Sequence, residues 1–70
     1  MIIKDENLIR KARLKATGAN IHKLNGILGC YINWISIVNY WQDIDKGEFE
    51  RTNKEFLKVE NELKLFAGEL

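Results

Sequence analysis

From Gly26 to Gln42 the chain carries no charged residue, and within that stretch runs Cys30-Tyr31-Ile32-Asn33-Trp34-Ile35-Ser36-Ile37-Val38-Asn39-Tyr40-Trp41. Whatever fold forms must cover this segment on more than one side. A membrane span needs roughly 20 predominantly apolar residues. This run is shorter and is interrupted by Asn33, Ser36, Asn39 and Gln42. A strand suits the Ile, Val, Tyr and Trp content, but no second strand is apparent to pair with it. A strand over 30–41 would therefore need another chain. We expect a helix over 31–42, with an intermolecular ribbon as the alternative.

A chain of 70 residues makes one domain with a thin core. Small domains compensate with disulfides, a structural metal or self-association. Cys30 is the only cysteine, so no intrachain disulfide forms. Cys30 and His22 fall short of the four ligands a structural zinc site wants. The expectation is a helical core, 1–70, reinforced by homodimerisation. An unpaired thiol suits a reducing compartment, so a cytoplasmic location is expected. Met1 to Glu6 turns polar before any apolar run, and no signal peptide is expected.

The chain has no proline, and its glycines suit helices joined by short turns. Leu8, Ile9, Ala12 and Ala16 share one face of a helix over 5–16, with Arg10, Lys11, Arg13 and Lys15 projecting elsewhere. Asn20 is placed to cap a second helix over 20–28 carrying Ile21, Leu24 and Leu28, and Gly29 ends it. After a turn at 43–47 a longer amphipathic helix spans 48–67, starting near Glu48 or at a Thr52-x-x-Glu55 capping box. Phe49, Phe56, Leu63 and Leu70 recur every seven residues, with Thr52, Val59 and Phe66 between them. Opposite charges at i and i+4, such as Lys58/Glu62 and Glu60/Lys64, occupy the remaining surface. The fold class is all-α, with three or four helices. The heptad stripe is either the face laid on the core or a seam between two chains.

Leu24, Leu28, Gly29, Cys30, Ile35 and Val38 fall at the spacing of a helix-turn-helix unit, in which a small residue opens the turn and apolar residues hold the two helices together. Over residues 9–41 the chain resembles the small phage repressor and Cro-type family, most closely at Leu28-Gly29-Cys30-Tyr31-Ile32-Asn33-Trp34-Ile35. The resemblance implies a DNA-binding regulator. Asn33, Ser36 and Tyr40 would then face bases. The recognition helix has no Lys or Arg, so phosphate contacts would fall to Arg10, Lys11, Arg13, Lys15 and Lys23. Asn25 stands where that family usually has an alanine. The front of the chain is basic and the back acidic, although net charge is only +1.

An alternative takes the aromatics at face value. A helix apolar nearly all round must bury both sides, and Trp and Tyr are enriched at interface centres. Trp34, Ile37 and Trp41, with Phe49, Phe56, Leu63, Phe66 and Leu70 on the last helix, are then interface residues. The protein becomes an inhibitor or adaptor that binds a partner protein, or a second copy, through residues 31–41. Neither reading needs a cofactor or a small-molecule substrate. No catalytic function is expected: His22 and Cys30 lack an orienting third group. Asp43 and Asp45 read as turn and cap residues, and no glycine-rich phosphate loop is present.

Overall fold

The computed structural model describes residues 1–70 as three helices in chain order: α1 (Glu6–Lys15), α2 (Ile21–Trp41) and α3 (Lys46–Ala67). No strand forms, and the segment 30–41 is helix throughout. Asp5 caps α1, its side chain accepting the Leu8 N–H at 3.0 Å. Between α1 and α2 the chain turns at Thr17 to Asn20. Asn20 holds the cap position of α2, but its side chain accepts from Thr17 N–H and not from the helix it precedes.

The expected break at Gly29 does not occur: α2 continues through it. A glycine inside a helix costs only about 1 kcal/mol relative to alanine. One side of α2 buries Leu24, Ile27, Leu28, Tyr31, Ile35 and Val38, and each such side chain stabilises the helix by roughly 1.5–3 kcal/mol. Burial on both flanks of Gly29 outweighs its propensity. The two short helices expected over 20–28 and 31–42 are one, and the turn of a helix-turn-helix is absent.

α3 starts at Lys46, two residues before Glu48 and not at the Thr52-x-x-Glu55 box. Asp45 is its cap and accepts the Glu48 N–H at 3.1 Å. Thr52 lies inside the helix, buried, its hydroxyl donating to the Glu48 carbonyl at 2.8 Å. The helix ends at Gly68, whose φ of 77° lets its own N–H and that of Glu69 return to the last carbonyls.

α2 and α3 form an antiparallel hairpin joined by residues 42–45, and α1 packs chiefly against α3. The extents of 41 × 19 × 17 Å describe an elongated rod. Phe56, Leu63 and Ala67 of α3 meet the α2 row, with Tyr31 and Phe56 stacked at 5.7 Å. Leu8, Ile9 and Ala12 of α1 complete the core near the open end of the hairpin. Lys11 reaches Glu69 at 2.8 Å there. The extended segment before α1 follows α2 toward the hairpin turn. Tyr31 hydroxyl accepts from Asp5 N–H at 3.0 Å, and the Asn39 amide both accepts from Ile2 N–H and donates to Ile2 carbonyl, each at 2.8 Å.

Candidate interaction surface

The heptad stripe of α3 faces α2 of the same chain. Phe56 and Leu63 are buried in the monomer core, Phe49 and Phe66 are half-buried at its edges, and Leu70 is exposed beyond the helix end. Phe56 and Leu63 are therefore occupied within one chain, which leaves them no side to offer a second.

α2 presents a different face to solvent. Ile27, Trp34 and Trp41 recur seven residues apart, and so do Cys30 and Ile37. On a continuous helix these form one broad stripe beside the core row. Its members grade from buried to open: Ile27 is buried, Trp34, Ile37 and Trp41 are half-buried, and Cys30 is exposed. Trp41 packs edge-on against Tyr40, with ring centroids 5.0 Å apart. Near the start of the stripe lies an open depression of about 360 Å³, lined by His22, Lys23, Gly26, Ile27 and Cys30 of α2 with Val59 and Glu62 of α3. A contiguous one of about 260 Å³ continues over Leu65 and Phe66. The floor exists because Gly26 and Cys30 are small; a Cβ built on Gly26 meets nothing within 4 Å.

The residues expected to hold DNA do not gather into one surface. Asn33, Ser36 and Tyr40 are exposed on the outward side of α2, whereas Arg10, Lys11, Arg13 and Lys15 ride on α1, which packs chiefly against α3. Lys11 is paired with Glu69, whose hydrogen bond raises the ammonium pKa. Arg10 donates to Asn7. Lys23 stands apart from the α1 group, in the wall of the depression on α2.

His22 and Cys30 line the same depression. Eight residues of helix nevertheless separate them by about 12 Å along the axis, beyond any hydrogen bond. No three His, Cys, Asp or Glu side chains are placed to hold a metal ion, and no buried side-chain nitrogen or oxygen lacks a partner. No helix is long and apolar enough to cross a membrane.

Sequence reasoning gave no site role to Asn39, Gly26, Val59 or Glu62. The succession of small Gly26 and Cys30 by large Trp34, Ile37 and Trp41 on one side of α2 was the available signal. Val59 and Glu62 join the site only through the pairing of two helices. Compared with protein-family models, curated proteins and solved structures, the chain matches none, so its own geometry is what defines this surface.

Proposed function

We propose that the protein is a non-enzymatic protein-binding module, an inhibitor or adaptor, whose working surface is the aromatic side of α2 over residues 31–41. One observation carries this reading: Trp34, Ile37 and Trp41 lie half-exposed in a single charge-free stripe on a rigid helix. Rigid aromatic anchors beside a depression are the usual centre of a protein interface. The DNA-binding regulator implied by the phage-repressor resemblance needed a turn at Gly29. With α2 unbroken, the spacing that suggested it describes one face of one helix.

The two readings separate on salt and charge. DNA binding weakens steeply as salt rises, because each neutralised phosphate releases counterions. An aromatic protein interface responds weakly. Affinity capture with nuclease treatment and a high-salt wash, repeated with two variants, tests the proposal. Ile37→Lys is expected to lose the retained protein, and Arg10→Glu/Lys11→Glu/Arg13→Glu to keep it. Binding that vanishes with nuclease, or follows the α1 charges and ignores Ile37, would overturn it.

A further inference from the structure

We propose that the side of α2 around Asn39 is a binding site for an extended peptide segment with one aliphatic side chain. Met1 to Lys4 is its resident occupant, a strap, and a segment of another protein takes the strap's place when it lifts. Asn39 lies about 140° around α2 from Trp34 and about 160° from Trp41, at 3.6 residues per turn. The site is therefore separate from the aromatic face and stands without it.

The strap is held the way a bound peptide is held. Asn39 turns its whole amide on one residue: Oδ1 accepts the Ile2 N–H and Nδ2 donates to the Ile2 carbonyl, each at 2.8 Å. The Tyr31 hydroxyl accepts the Asp5 N–H at 3.0 Å and marks the inner end. Tyr31 and Asn39 are eight residues apart on α2, about 12 Å along its axis. The extended chain from Ile2 to Asp5 reaches about 10 Å, so the strap runs stretched and antiparallel to α2. Its side chains alternate as extended backbone requires. Ile2 packs on the core, whereas Met1 and Ile3 are 87% and 80% exposed. Lys4 pairs only with Glu6, at the surface. What α2 reads is a backbone N–H, a backbone carbonyl and one aliphatic side chain. Main-chain bonds of this kind give affinity to any extended segment, and the apolar seat selects the residue.

The strap lifts without the helices. Asp5 stays behind as the cap of α1, its side chain on the Leu8 N–H at 3.0 Å, so opening ends there. The two Asn39 bonds and one half-buried side chain oppose the ordering of Met1 to Lys4, and these contributions are of similar size. A segment so balanced opens locally while the rest stays folded. An incoming peptide then meets the same amide and the same seat. It competes with a tethered strap, so the strap gates the site.

NMR titration of the full isotope-labelled chain with the capped peptide Met-Ile-Ile-Lys-Asp is the test, read at the Asn39 side-chain amide. The peptide is expected to shift that amide and to saturate it. Ile2→Asp in the chain unseats the strap and should tighten peptide binding about tenfold or more, since a strap closed about nine-tenths of the time lowers apparent affinity by that factor. Ile2→Gly removes the anchor without adding charge and serves if the Asp variant unfolds. The same peptide carrying Ile2→Asp should not bind. Adding Asn39→Ala to the unseated chain should abolish binding, read there at the Val38 amide. Amide exchange on the wild-type chain gives an independent measurement: relative to its unfolded rate, the Ile2 N–H should exchange at least about tenfold faster than the Tyr31 N–H within α2. No shift in the unseated chain, or binding that survives Asn39→Ala, overturns the site. Equal protection of Ile2 and Tyr31 overturns the strap as a gate, because it would then open only when the whole fold does.

Discussion

Tyr31 ties the core to the segment before α1. Its ring stacks on Phe56 and its hydroxyl accepts from the Asp5 backbone N–H. Burial holds its pKa above the ordinary value near 10, while the hydrogen bond from Asp5 works the other way more weakly. The neutral phenol is the form the fold prefers. Its stabilising contribution is complete below about pH 10, the unfolded pKa, and is lost as pH rises through the higher folded value. Tyr31→Phe keeps the stack and leaves the Asp5 N–H without its partner. We expect a loss of about 1 kcal/mol near neutral pH and a flatter decline in stability above pH 10 than the wild-type chain shows. Urea melts over a pH series check both. An unchanged alkaline limb in the variant would assign that decline to other groups.

Gly29 shows how an element is decided above the level of its residues. Read locally, a glycine after Leu28 is punctuation, and the apolar positions around it match a helix-turn-helix. The same positions also match one side of an uninterrupted helix, and the pairing of α2 with α3 selects between them. Gly29→Ala discriminates directly. In a helix the change stabilises by about 1 kcal/mol, because nothing lies within 4 Å of the new methyl group. For a domain this small that raises Tm by about 4–8 °C. A turn that needed glycine would lower it. Gly68 is the contrasting case: at φ 77° it occupies the left-handed region, and Gly68→Ala should cost about 1 kcal/mol. The helices themselves were legible where one face alternates with charge, as in α1 and α3. The start of α3 was legible in part: Asp45 reads as a turn or cap residue, but the Thr52-x-x-Glu55 pattern sends the same local signal. Which of them caps depends on the path of the preceding turn.

At the scale of the whole molecule the hairpin is covered unevenly. α1 shields the open end, and the end near the turn is shielded on one side only by the extended segment that Asn39 holds at Ile2. The sequence makes the apolar excess of α2 plain but does not say which side each neighbour takes. Ile2 and Asn39 are 37 positions apart and carry no shared pattern. Their contact predicts a thermodynamic coupling. Asn39→Ala removes two backbone-directed hydrogen bonds, a loss of about 1–3 kcal/mol if each contributes roughly 0.5–1.5. Deleting Met1 to Lys4 removes the same bonds together with the packing of Ile2 on the core, so it should cost more. The two changes act on one contact and must not add: in the shortened chain, Asn39→Ala should cost almost nothing further. Thermal melts of the four proteins close the cycle. Additive losses would mean that Asn39 stabilises α2 on its own account, and that the segment is held by Ile2 packing and the Tyr31 bond alone.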